Sequence, residues 1–137
     1  KNTDTGYVLV IIDIDHFKQV NDRYGHLAGD DVICAIAKLL QHGLRSDDFV
    51  ARLGGEEFAV VIEHTEVDTA SLMLEAMLLQ IASEPIVADG KSLFVTVSMG
   101  ARYVSPDEQE DITLQLSQAD SALYKAKDNG RNCVMWY

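Results

Sequence analysis

The chain has 137 residues, 47% of them hydrophobic, and 11 basic against 22 acidic residues give a formal charge of −11. That size suits one domain with a real core. The charge excludes a general nucleic-acid binder, which needs a basic face, but leaves open a nucleotide substrate met through metal ions. No apolar run reaches the length of a membrane span and no signal peptide is visible. Cys34 and Cys133 lie far apart without metal-ligand spacing and read as small core residues. The start at Lys1, without a methionine, points to a fragment of a longer protein.

Residues 1–6 are polar and read as a linker or disordered. Tyr7 to Ile14 is a nearly continuous β-branched apolar run, the pattern of a central strand buried on both faces. Asp13 interrupts it near its end, where an acid is costly unless it binds or pairs. A short helix or turn runs from Asp15 to about Arg23, punctuated by Gly25 and Gly29. Asp30-Asp31 opens a helix, with Val32, Ile33, Ile36, Ala37, Leu39, Leu40 and Leu44 at helical spacing and the acids suiting its dipole.

Phe49 to about Glu63 reads as a hairpin around Gly54-Gly55, because glycine accepts the positive φ such turns need. Residues 66–83 form a helix with Leu72, Leu74, Met77, Leu78 and Ile81 on its buried side, ended by Glu84-Pro85. Asp89-Gly90 links strands at Ile86 to Ala88 and Leu93 to Met99, with Gly100 beyond. The acidic loop from Asp107 to Asp111 is solvated. A helix over 112–128 turns Leu116, Ala119, Leu123 and Tyr124 inward and stops at Asn129-Gly130. Asn132 to Tyr137 returns as a last strand. This order gives an α+β domain with a central, mainly antiparallel sheet and helices packed around it.

The two acids after the glycine pair cannot share one task. Neighbouring strand residues point to opposite faces, so only one of Glu56 and Glu57 can face a given site. A charged hairpin tip alone is more often a solvated turn. A second acidic stretch, ending the first strand at Asp13, changes that weighing. Asp13, Glu56 and a backbone carbonyl make a hard oxygen site suited to Mg²⁺, which takes few protein ligands and completes its shell with water and phosphate. Two such ions can clamp a triphosphate.

Four ordered blocks then carry a family resemblance. Gly54-Gly55-Glu56-Glu57-Phe58 is one. Asp13-Ile14-Asp15-His16-Phe17-Lys18-Gln19-Val20-Asn21-Asp22, with Tyr24-Gly25-His26 and Gly29-Asp30, is another. Thr96-Val97-Ser98-Met99-Gly100 is the third. Ala119-Asp120, Ala122-Leu123-Tyr124, Ala126-Lys127 and Gly130-Arg131-Asn132 make the last. Together they resemble GGDEF domains, the diguanylate cyclases, in the GGEEF form. The resemblance implies a ferredoxin-like core, similar to polymerase palms and class III nucleotide cyclases. Residues 1–137 would be a single GGDEF domain truncated at its N-terminus, since the family's Asp-x-Leu-Thr-Gly-Leu-x-Asn-Arg segment, expected to support the phosphate end of the site, is not in the chain.

The resemblance also implies roles. Asp13, the carbonyl of Ile14 and Glu56 would hold Mg²⁺, with Mn²⁺ as an alternative; Asp13, Glu56 and Glu57 would be the catalytic set. Gly54 and Gly55 leave room for GTP. Asn21 and Asp30 would read the guanine edge, which offers both donors and acceptors, and His26 would touch the nucleotide. Lys18, Lys127 and Arg131 would contact phosphates; on composition alone Lys127 and Arg131 are ordinary helix-end cations. Arg45 and Asp48, an Arg-x-x-Asp pair nine residues before the glycines, resemble the inhibitory site for the product cyclic di-GMP, although helix 66–83 has no arginine to complete it.

The implied reaction condenses two GTP molecules into cyclic di-GMP and two pyrophosphates across a homodimer, in a cytoplasmic domain under an upstream sensory or regulatory domain, with the parent protein attached to a membrane or free. The alternatives are a catalytically silent module that binds GTP or cyclic di-GMP, and a plain ferredoxin-like interaction domain.

Overall fold

The computed structural model describes residues 5–137. Its elements are β1 (Gly6–Ile14), α1 (Phe17–Tyr24), α2 (His26–His42), β2 (Phe49–Gly54), β3 (Glu57–Thr65), α3 (Val67–Ser83), β4 (Ile86–Ala88), β5 (Lys91–Leu93), β6 (Val97–Val104), α4 (Ile112–Asp128) and β7 (Val134–Trp136). The linker expected over residues 1–6 falls largely outside the described residues, and Gly6 already belongs to β1.

Five strands form one sheet in the order β2-β3-β1-β6-β7. β1 lies in the middle, antiparallel to β3 on one side and to β6 on the other. A central strand covered on both faces must be apolar on both, which is why its sequence does not alternate. Val8, Val10, Ile12 and Ile14 face α2 and α3, packing with Phe58, Val60, Ile62, Ile36, Leu40, Leu74 and Ile81. Ile11 faces the opposite side, against Ala119 and Leu123 of α4. Each such large apolar side chain contributes roughly 1.5–3 kcal/mol by leaving water. α4 packs directly on β6 at Gly100: a Cβ there would stand 2.1 Å from the Leu123 nitrogen, so only glycine fits.

The sheet is antiparallel except at its β6–β7 edge, where the pairing is parallel. β4 and β5 form a separate two-stranded ribbon. Among the described residues, no helix is long and apolar enough to cross a membrane.

Several expectations need correction. The second helix starts at His26, not Asp30, so Asp30 and Asp31 lie in its second turn and no acid lies in its first. Gly29 does not break the chain; it is buried inside α2 against Asn21. The strand expected over Leu93 to Met99 is two, β5 and β6, and Gly100 lies within β6. Leu72 is 74% and Tyr124 is 72% exposed, so neither points inward. Each falls on the outward side of a helix whose buried row passes through Ala70, Leu74 and Met77, or through Ala119, Leu123 and Ala126. Cys34 is exposed and Cys133 only half-buried, so neither is a core cysteine.

Candidate active site

β1 ends at the turn of the β2–β3 hairpin, and this brings the two acidic stretches together. Asp13 pairs across the sheet with Glu57 on one side and Ser98 on the other. The Ile14 N–H donates to the Glu56 carbonyl at 3.3 Å. Gly55 takes a positive φ of 51°, which turns the chain tightly enough to present Glu56 beside the end of β1. A hollow of about 210 Å³ follows, lined by Asp13, Ile14, Asp15, His16, Phe17, Lys18, Glu56, Lys127 and Arg131. Six of the residues singled out in the sequence therefore share one small site: Asp13, Ile14, Lys18, Glu56, Lys127 and Arg131.

Glu57 does not line this hollow, although it is the cross-strand partner of Asp13 and acts on the charge of Asp13 and Lys127. It lines a second, more open hollow with Ile11, Leu53, Leu116 and Asp120, beside α4. Glu56 lies in the turn and Glu57 opens β3, and the two line different hollows.

The charge at this corner is poorly balanced. Asp13 is 6% exposed, and its Oδ2 forms an ion pair with the Lys127 ammonium at the end of α4. Its Oδ1 is buried without a hydrogen-bond partner among the described residues. Burial pushes the Asp13 carboxyl above the usual aspartate range; Lys127 opposes this, and Glu56 and Asp15 add to it. Burial also raises Glu57, helped by repulsion from Asp13 and Asp120. Lys127 is held above the usual lysine value: burial works against its charge, but the bond to Asp13 and the nearby Glu57 and Glu56 outweigh it.

Asp15 is the residue that sequence reasoning missed. It is 6% exposed and fully engaged: it accepts from the hydroxyls of Thr96 and Ser98, both at 2.6 Å, and from the Asn132 N–H at 3.1 Å. It thereby ties the ends of β1 and β6 to the loop that carries Arg131, and so fixes the floor of the hollow. Nothing local in the sequence gives this away, because the Asn132 contact spans 117 residues. His16 follows in the left-handed region at φ 56°, an uncommon conformation for a non-glycine residue, and starts α1 without a side-chain cap.

Asn21, His26, Asp30, Gly54 and Gly55 are not among the residues that line this hollow, whereas Lys18 is. Lys18 is at its rim, paired with Asp22 at 3.0 Å on the surface. Asn21 of α1 is half-buried against Gly29, where a Cβ would stand 1.9 Å from its Oδ1. His26 and Asp30 are exposed, four residues apart on α2, and therefore on one helix face next to that contact. Gly54 and Gly55 have nothing within 4 Å of a virtual Cβ, so the hairpin tip is open.

Arg45 and Asp48 are at the other end of the hairpin. Asp48 is buried and accepts from Arg45 Nε at 3.0 Å, the Arg45 N–H at 2.9 Å and the Glu63 N–H at 2.8 Å. Burial alone would raise its pKa, but these bonds outweigh it and hold the carboxyl below the usual range. Arg45 also donates to the Glu63 carbonyl. It lines a groove of about 220 Å³ with Ser46, Asp47, Glu63 and His64, while Asp48 sits beneath.

A family model described as "Diguanylate cyclase, GGDEF domain" matches residues 1–133. The chain belongs to the GGDEF domain family. It is 40% identical over 126 residues to diguanylate cyclase A of Treponema denticola, covering 92% of this chain and 34% of that protein. It is 42% identical over 125 residues to the diguanylate cyclase DgcP of Pseudomonas aeruginosa, covering 91% of this chain and 18% of that protein. This GGDEF domain thus spans about a third or less of the length of these relatives.

Among solved structures, the active GGEEF domain of a diguanylate cyclase from Vibrio cholerae superposes with a TM-score of 0.85 at 36% identity, over 97% of this chain and 83% of that one. The GGDEF domain of DgcB from Caulobacter crescentus, in complex with c-di-GMP, superposes with a TM-score of 0.88 at 33% identity, over 96% and 78%.

The residues of this GGDEF domain fit a hard divalent cation. Asp13 Oδ1 is a buried oxygen without a partner, Glu56 shares its hollow and Ile14 contributes backbone there. No cluster of three or more histidine, cysteine or acidic side chains with metal-site geometry occurs among the described residues. Two carboxylates and a carbonyl form a sparse donor set, of the kind Mg²⁺ accepts.

Proposed function

We propose that this domain is a diguanylate cyclase, condensing two GTP molecules into cyclic di-GMP with release of two pyrophosphates. The observation that carries the reading is the convergence of Asp13 and Glu56 with Lys127 and Arg131 in one hollow at the end of β1. Acids and cations side by side in one hollow suit a substrate that is an anion bridged by metal.

The residues divide the work as follows. Asn21 and Asp30, with His26 beside them, bind the guanine edge through paired donors and acceptors. Gly54 and Gly55 keep the hairpin tip low, so that the ribose and phosphates pass over bare backbone. Lys127 and Arg131 take the phosphate oxygens through charge-assisted bonds, and Lys18 does so from the rim. Asp13, Glu56 and the Ile14 carbonyl hold Mg²⁺ or Mn²⁺. A metal bound there lowers the pKa of the attacking hydroxyl and neutralises charge on the phosphates. The 3′-oxygen of each GTP forms a bond to the α-phosphorus of the other, so that two phosphodiester bonds form as two pyrophosphates leave, and Glu56 of each copy accepts the hydroxyl proton. Glu57, opposite Asp13 on the neighbouring strand, completes the catalytic set.

One domain holds one GTP. Two copies must therefore face each other, and most of the acceleration comes from holding the two reactants in line. Incubation of concentrated protein with GTP and Mg²⁺ is expected to give two pyrophosphates for each cyclic di-GMP, and Glu56→Ala to lower both by about 10- to 100-fold, the scale of disturbing a metal site. Full activity in Glu56→Ala would defeat the proposal.

The groove at Arg45 supports a second site, where product binds and slows the enzyme. Arg45 is its cation, with its side chain 44% exposed and pre-oriented by Asp48. Calorimetry with cyclic di-GMP is expected to show binding that Arg45→Ala abolishes; unchanged binding would remove this site from the scheme.

A further inference from the structure

We infer that Lys127 is the internal counter-ion of Asp13, yielding that carboxylate to a divalent cation only when a triphosphate offers Lys127 a better partner. The inference rests on the metal and nucleotide reading above and concerns how the two ligands depend on each other.

Lys127 leaves the last turn of α4 and reaches Asp13 Oδ2. Its side chain is 33% exposed while that of Asp13 is 8% exposed, so the lysine tip lies on the open side and the carboxylate on the closed side. Among the described residues Asp13 is the one ion-pair partner of the ammonium, and Glu57 and Glu56 act on it through charge alone. Lysine is a compact charge on a flexible four-carbon stem and can swing without moving the helix. Arg131 lines the same hollow, so a phosphate group entering there meets a second cation.

The other cations cannot replace Lys127. Lys18 is engaged with Asp22 at the rim. Asp15 needs no cation, since three protein donors satisfy it. Among the described residues, Asp13 combines an ion pair on one oxygen with no hydrogen-bond partner on the other. A divalent cation seated on Asp13 would lie beside the ammonium and be repelled by it. A triphosphate removes the conflict by drawing Lys127 onto its own oxygens. Metal and nucleotide then favour each other's binding, and by linkage the coupling is reciprocal. The nucleotide-free domain keeps one oxygen of Asp13 paired with Lys127 and binds divalent cations weakly.

The test is calorimetric titration of the nucleotide-free chain with Mn²⁺. Lys127→Met, which keeps the stem and removes the charge, is expected to bind Mn²⁺ about tenfold tighter than wild type, a typical size for coupling between two ligands. Lys127→Arg is expected to stay near wild type. Lys125→Met, the same change of net charge on the exposed side of α4, is expected to have no effect. If Lys127→Met loses its helical circular dichroism, Lys127→Gln replaces it.

Mn²⁺ affinity in the folded Lys127 variant no higher than in wild type, or an equal gain in Lys125→Met, overturns the counter-ion role. Adding Asp13→Asn to Lys127→Met separates the two claims. Loss of the gain places the ion on Asp13. A gain that survives Asp13→Asn overturns the metal reading of Asp13 itself.

Discussion

Two charged clusters hang on neighbouring strands of the same sheet and are built in opposite ways. Arg102 of β6, 8% exposed, is saturated. Its Nε donates to Gln118 at 2.7 Å, and its terminal nitrogens donate to Glu108, Glu110 and the Tyr103 carbonyl. The Tyr137 ring lies 5.8 Å from the guanidinium carbon. The Glu108 carboxyl is held down to about 2, first by its bond to Arg102. At the Asp13 corner the acids outnumber the cation in contact with them, one oxygen is orphaned and two carboxyls are pushed up. A chain able to satisfy Arg102 so completely could also have neutralised Asp13. Leaving that corner unbalanced costs stability in the free domain, and a bound cation with its phosphates offsets the cost.

The contrast can be broken from its saturated side. Arg102→Ala strands two carboxylates and is expected to cost about 3 kcal/mol in denaturant unfolding at neutral pH. Because the folded pKa of Glu108 is depressed, its share of that stability is full above its ordinary value of 4.5 and is lost as pH falls towards about 2. The penalty of Arg102→Ala should therefore shrink in acid; a penalty independent of pH would mean that packing, not charge, does the holding. Asp48→Ala is a second saturated case. It leaves the N–H groups of Arg45 and Glu63 unpaired and is expected to cost about 2 kcal/mol.

The unbalanced side predicts the opposite sign. Glu57→Gln is expected to raise the melting temperature by a few degrees at pH 7. The folded pKa of Glu57 is raised, so its stabilising contribution is present below the ordinary value of 4.5 and lost as pH rises through the folded value. The gain from the neutral amide should accordingly vanish on acidification below that window. A drop in melting temperature at pH 7 would show that the Glu57 charge is compensated after all. The smallest effect is expected for Arg45→Ala, at about 1 kcal/mol or less, since Arg45 is well exposed and Asp48 keeps two backbone donors.

Much of the corner could be read in the sequence because each part announces itself locally. The apolar run of β1, the acid that interrupts it and the glycine pair all follow from strand periodicity and turn chemistry. The different surroundings of Glu56 and Glu57 do not follow from alternation alone, because Glu56 lies in the turn and Glu57 stays opposite Asp13 on the neighbouring strand. What could not be read depends on distance along the chain or on helix phase. The grip of Lys127 on Asp13 joins the last helix to the first strand, and the Asp15 network joins three separate segments. Gly29 looked like a break because glycine usually is one; here it gives room to Asn21, and α2 begins a turn earlier. Tyr124 faces water because it is rotated about 100° from buried Leu123, and Leu72 because it is about 200° from both Ala70 and Leu74.

The most direct test is the melting temperature of wild type and Asp13→Asn, each in chelator and in Mg²⁺ with a non-hydrolysable GTP analogue. In chelator Asp13→Asn should melt higher, because burial disfavours the ionised carboxylate. With both ligands present the order should invert, because only wild type gains their binding energy. The same order in both conditions would contradict the idea that Asp13 is kept unsatisfied for a metal and a nucleotide.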